Sequence, residues 1–168
     1  MISISNYFVI FILALVFLPA VIHAEDYMYW DSNFDPISLL SIASQSQIRE
    51  GSATVTLFTS GDAEISADNT AAAELDNIGD GGSDVLVTEY MLAFDGNGSS
   101  ATGGTNTSYE TYNTFISTPV PITYVTDDND VDVTLWVRAS NDSTGHKEVA
   151  DSGAYTATQT LTVSWIGP

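Results

Sequence analysis

The stretch YTATQTLTVSW, residues 155–165, decides the reading of this chain. Tyr155, Ala157, Gln159, Leu161, Val163 and Trp165 fall on one side, and Thr156, Thr158, Thr160, Thr162 and Ser164 on the other. A period of two is the mark of a half-buried strand, because successive side chains point to opposite faces. Threonine suits the wet face: it is β-branched, stiff at χ1 and carries a hydroxyl. The sequence therefore predicts one strand here, with Tyr155, Leu161 and Val163 buried and the threonines exposed. It also predicts pairing with earlier strands, among them the one near residues 131–138. Gln159 interrupts the apolar side and calls for a bulge or a hydrogen-bond partner. Just before the strand, Asp151, Gly153 and Tyr155 have the D-x-G-x-Y spacing of a tyrosine corner, in which a hydroxyl ties a strand start to upstream backbone. The same residues also fit a plain glycine turn before a core tyrosine.

Outward from this strand, alternation recurs. In SATVTLFTS, Ala53, Val55 and Leu57 oppose Thr54 and Thr56. In VDVTLWVRAS, Val131, Val133, Leu135 and Val137 point one way. VLVTEYMLAF and DAEISAD read as strands, ISLLSIASQSQIREG as containing one, and residues 69–84 mostly as a loop with room for one helical turn at Ala71–Ala73. Pro119 and Pro121 mark an edge strand or a strand start in PVPITYVT. Turn-rich polar segments separate the strands, and no long 3.6-residue period occurs. The pattern predicts an all-β fold, an immunoglobulin-like antiparallel β-sandwich.

The chain has 168 residues, enough for one domain with a real core. An apolar run from Tyr7 to Leu18, followed by small residues and Ala24, reads as a signal peptide over 1–24, with a retained anchor as the other reading. Residues 25–36, aromatic and broken by Pro36, read as an N-terminal arm or first short strand, and 37–168 as the sandwich. Cleavage before Glu25 predicts a secreted, cell-surface or periplasmic protein with no stable membrane span. All 22 acidic residues lie after that cut, against three basic ones, for a net charge of −19. Such a charge repels nucleic acid and anionic lipid. Secretion permits disulfides, but there is no cysteine, so stability rests on the core and sheet pairing.

EYMLAFDGNG (89–98), DDNDVDVTLWVRASN (127–141) and GAYTATQTLTVSW (153–165) resemble phrases of bacterial secreted β-sandwiches of the spore coat protein U-like and fimbrial-subunit type. The resemblance implies an extracellular, non-catalytic subunit of a coat or fibre, in which an extended N-terminal strand of one subunit completes the next subunit's sheet. Cysteines found in several such families have no counterpart here, and the arm over 25–36 is short.

Candidate sites are few. Asp127, Asp128, Asp130 and Asp132 bunch around one turn, a set of oxygen ligands suited to Ca²⁺ or a solvated hairpin turn. No other cofactor is expected. Asp76, Asp80 and Asp84, and DGNGSS from Asp95, are weaker versions. Trp136 has the outward parity of its strand and offers a face for a sugar ring or a protein partner, unless a loop covers it. Tyr109, Tyr112 and Phe115 form a second aromatic group, either a platform or a loop's anchor in the core. Catalysis is poorly served: past the leader His146 is the single histidine, with no strand–Ser–helix elbow and no phosphate-binding loop. The expectation is a non-enzymatic structural or surface-assembly protein, with self-assembly or other surface proteins as partners. An extracellular carbohydrate- or partner-binding module is the alternative.

Overall fold

The computed structural model describes residues 26–45, 47–79, 84–141 and 152–167. The predicted leader over 1–24, Asp80, the loop holding His146, and Asp151 lie outside the described residues. Among the described residues eleven strands form: β1 (Met28–Trp30), β2 (Ile48–Thr59), β3 (Asp62–Ala67), β4 (Leu75–Asn77), β5 (Val85–Phe94), β6 (Gly103–Gly104), β7 (Glu110–Thr111), β8 (Val120–Thr123), β9 (Asp130–Ser140), β10 (Tyr155–Thr156) and β11 (Leu161–Gly167). The protein is all-β, with antiparallel pairing throughout. One sheet runs β1-β2-β9-β5-β4-β10, with β7 also on β5, and the other β11-β3-β8-β6.

The three long strands of the first sheet are the three with the clearest alternation. β9 pairs with β2 from Ile48↔Ser140 to Phe58↔Asp130, and with β5 from Val87↔Ser140 to Phe94↔Val133. Their inward residues, Val55, Leu57, Tyr90, Leu92, Val131, Val133, Leu135 and Val137, are buried. Ala63, Ile65 and Ile122 of the second sheet join the same core. Outward residues satisfy one another across strands: Thr54 and Thr134 hydroxyls meet at 2.8 Å, and Thr56 donates to Asp132 at 2.7 Å.

The N-terminal arm forms the short edge strand β1, with Tyr29 opposite Phe58 and the two rings stacked at 5.3 Å. In the segment after it, the strand expected within residues 37–51 is the start of β2 at Ile48, and residues 37–45 contain no strand. Ile37 and Leu39 instead pack over Gly51 on the inward side of β2, where a Cβ would stand 2.7 Å from Ile37 Cγ2. The glycine makes room for a chain that covers the end of the sheet. The Ala71–Ala73 run forms a 3₁₀ turn. β8 begins immediately after Pro119 and lies between β3 and β6, so it is a strand start and not the edge itself.

The final stretch is corrected most. Residues 155–165 are not one strand: β10 pairs with β4 in the first sheet, and β11 pairs with β3 in the second, not with β9. The chain changes sheets over residues 157–160. There Thr158 N–H donates to the Ala72 carbonyl at 2.6 Å, and Asp68 N–H to the Thr160 carbonyl at 3.1 Å. Gln159, which breaks the apolar side, marks this crossing, its Nε2 donating to Asp68 Oδ1 at 3.0 Å. The register shift falls later, between Trp165 and Gly167. Alternation itself holds, with the threonines exposed, but Tyr155, Leu161 and Val163 are half-buried, not buried. The cause is position: β11 is an edge strand, and among the described residues no strand stands beyond it to cover its inward side chains.

That difference has a measurable consequence. Leu92→Ala, in the buried centre, should cost about 2–5 kcal/mol. Leu161→Ala should cost about 1 kcal/mol, since only part of its surface leaves water on folding, and Thr160→Ala less than about 0.5 kcal/mol. Chemical denaturation of the three variants checks the order, and an equal loss for the two leucines would contradict the edge placement.

Candidate functional site

Outward parity on β9 carries Asp132, Thr134, Trp136 and Arg138 onto one face. The register sets Trp136 between Ser52 and Met91, and Arg138 between Glu50 and Glu89. Arg138 is held in place by Glu89, with Nε donating to Oε2 at 2.8 Å and the second nitrogen at 2.7 Å. The Tyr109 ring lies over the guanidinium, 4.2 Å from Cζ. Tyr109 reaches this position because residues 106–112 run beside β5: Phe94 N–H donates to Asn106 Oδ1, Thr107 N–H to the Leu92 carbonyl, and Tyr112 N–H to the Thr88 carbonyl. Burial, and then the Glu50 carboxylate, raise the Tyr109 hydroxyl above its ordinary pKa; Arg138 opposes and Glu89 adds to the rise. Trp136, Arg138 and Tyr109 thus share a half-buried patch with two carboxylates at its border.

The aromatic group of the sequence is therefore divided. Tyr109 is on the outer face. Tyr112 packs against the core instead, beside Glu74, whose charge and hydrogen bond add to burial in raising its hydroxyl pKa. Phe115 is fully buried and meets the Tyr90 ring at 5.5 Å. Two of the three serve as the loop's anchor and one is available for contact.

The acidic turn does not converge. Asp127 occupies the turn at φ +72° and is exposed. Asp128 turns inward and accepts from Thr102 N–H at 2.6 Å, while Thr102 Oγ1 donates to the Asp128 carbonyl. Asp130 opens β9 and is exposed, and Asp132 accepts from Thr56 on the outer face. Among the described residues no three histidine or carboxylate side chains stand close enough to hold a metal ion. Asp95 and Asp132 are similarly engaged, with Asp132 N–H donating to Asp95 Oδ1 at 2.8 Å. Tyr155 of the expected corner places its hydroxyl 3.1 Å from Asp84 Oδ2. The buried tyrosine tie is made by Tyr90, which donates to the Ala73 carbonyl at 2.7 Å.

Two sheet edges complete the inventory, and neither was singled out by sequence. β1 covers β2 only at Leu57–Thr59, and Asp31 N–H caps the Thr56 carbonyl at 2.9 Å. Because Thr59 N–H turns toward Asn129, alternation points the main-chain groups of Glu50, Ser52 and Thr54 the other way. They meet no partner there among the described residues. Among the described residues no strand pairs with the outer side of β11. A groove of about 930 Å³ lies between residues 37–45 and the Tyr155–Thr156 strand, floored by Leu75 and Leu86.

No protein-family model matches the chain, and neither a curated protein nor a solved structure matches it.

The Tyr90 tie has a pH signature. Burial, and then the Asp68 charge, push its hydroxyl up to about 12 from an ordinary 10. Between those values the unfolded chain has lost a proton that the native state keeps. Stability from this group is whole below pH 10 and is lost as pH rises toward 12. Tyr90→Phe should flatten that alkaline decline. At pH 7 it should cost about 1–3 kcal/mol by stranding the buried Ala73 carbonyl. Urea midpoints across pH 8–12 test both.

Proposed function

We propose that the protein is a secreted, non-catalytic surface-assembly protein of the coat- or fibre-subunit kind, built on an immunoglobulin-like sandwich. The observation that carries this reading is the pair of open edges. Along β2 from Glu50 to Thr54 and along the outer side of β11, alternate main-chain donors and acceptors meet no described residue, which makes both edges templates for another strand. Two antiparallel sheets around one core support the sandwich. The resemblance of residues 89–98, 127–141 and 153–165 to spore coat protein U-like and fimbrial sandwiches supports the coat or fibre setting. The apolar run from Tyr7 to Leu18 supports export, and the charge of −19 supports a life apart from nucleic acid and anionic lipid. Sedimentation velocity on the protein over a hundredfold concentration range should resolve multimers that grow with concentration. A single monomer boundary throughout, with no envelope or fibre association in cells, would refute the reading.

The second reading is a carbohydrate-binding module, favoured by one observation: Trp136 and Tyr109 share a face around the anchored Arg138. A sugar ring stacking there would hydrogen-bond to the neighbouring carboxylates. Trp136→Ala should then remove glycan binding at least tenfold, while losing no more than about 1–2 kcal/mol of stability, given the side chain's half-buried state. Glycan-array signals unchanged in that variant would exclude this face.

A further inference from the structure

β11 has one neighbour, β3, and its other side is open. On the β3 side Asp68 N–H reaches the Thr160 carbonyl, and Thr162 and Ser164 lie opposite Ser66 and Glu64. Main-chain groups alternate sides along a strand, so the N–H and C=O of Leu161, Val163 and Trp165 point to the open side. No described residue meets them there. We propose, resting on the assembly reading, that this edge pairs with the same edge of a second copy, antiparallel about a two-fold axis at Val163.

Three observations select a second copy as the occupant. The strand is self-complementary about Val163. Antiparallel pairing sets Leu161 opposite Trp165 on the inward face and Thr162 opposite Ser164 on the outward face, so apolar meets apolar and hydroxyl meets hydroxyl. The inward side chains Leu161, Val163 and Trp165 are half-exposed for want of a strand beyond them, and the partner's own three would cover them. The edge is also electrically neutral. The chain carries −19, yet no charged side chain occurs from Ser152 to Pro168, and Asp62 and Glu64 stand one strand back on β3. Two copies of so acidic a protein repel over most of their surface, and this neutral edge lets them approach. Edge strands that avoid pairing usually carry a charge, a proline or a short length. β11 runs through Leu161–Gly167 without charge or proline. The contact is isologous, so it closes on itself as a dimer and joins two four-stranded sheets into one.

The chain has no native cysteine, which makes the test direct. Val163→Cys places two thiols on the axis, with Cα atoms about 5.5 Å apart, inside disulfide range. Mild oxidation should give a covalent dimer. Leu161→Cys sets each thiol four residues from its own copy, about 13 Å away, and should not cross-link. Thr162→Glu with Ser164→Glu, both on the exposed face, should shift the sedimenting species to monomer with an unchanged circular dichroism spectrum. Raising salt should strengthen the native association, because repulsion elsewhere is screened. Multimers that persist in the double-glutamate variant, with no cross-link in Val163→Cys, overturn the β11 edge and leave the assembly reading standing. A native protein that is monomeric at every concentration overturns both.

Discussion

The ladder on both sides of β9 is the constraint on which the rest of the molecule depends. β9 is paired along nearly its whole length with β2 on one side and β5 on the other. Its register fixes which residues of three strands face inward, and a slip of one residue would turn every one of them to water. The inward set includes Leu57, Leu92, Val131 and Val133, all essentially inaccessible. The same register fixes the outer face. Trp136 and Arg138 can share a patch with Glu89 only because the strand that buries Leu135 and Val137 must expose its alternate positions. Core and surface patch are two sides of one pairing decision.

Much of this was legible because period-two alternation reports burial directly. Val55, Leu57, Val131, Val133, Leu135 and Val137 are where the pattern puts them, and Thr54, Thr56 and Thr134 oppose them. Alternation tells which face a residue takes, but not which strand lies alongside. The division of residues 155–165 between two sheets was therefore invisible: Tyr155–Thr156 and Leu161–Gly167 keep the same parity through the crossing. Gln159 was the one local sign. The covering of Gly51 by Ile37 and Leu39 was hidden for a similar reason, because a non-repeating segment packs by contact and leaves no period to read.

The candidate site was half legible. Parity alone put Trp136 outside. It could not pair Trp136 with Tyr109, since that depends on residues 106–112 running beside β5, partly through side-chain bonds from Asn106 and Thr107. Nor could it separate Tyr109 from Tyr112 and Phe115, whose spacing fits a platform and an anchor equally. Arg138 was missed, although the sequence held a clue. In a chain with three basic residues, a cation on the exposed face of a strand is scarce enough to have been placed by something, here Glu89 and the Tyr109 ring. Acidic clustering alone could not tell a ligand set from a turn. Asp128 and Asp132 are tied to Thr102 and Thr56, so their carboxylates organise the start of β9 and the turn before it.

Charge and edge geometry together bear on how such a fold can keep strands open. An unpaired strand invites any other strand, and most proteins suppress this locally with charge, proline or a bulge. Here the suppression is spread over the whole surface: a net charge of −19 raises the cost of approach in almost every orientation. Along β2 the open stretch still includes Glu50, so the local and the global terms agree. Along β11 they part, because the chain from Ser152 onward contributes nothing to the charge. In the proposed pairing, long-range repulsion acts as an orientational filter. It leaves short-range hydrogen bonding and apolar contact free to act at one edge, since both decay over a few ångströms, while charges separated by more than roughly 8–10 Å are largely screened.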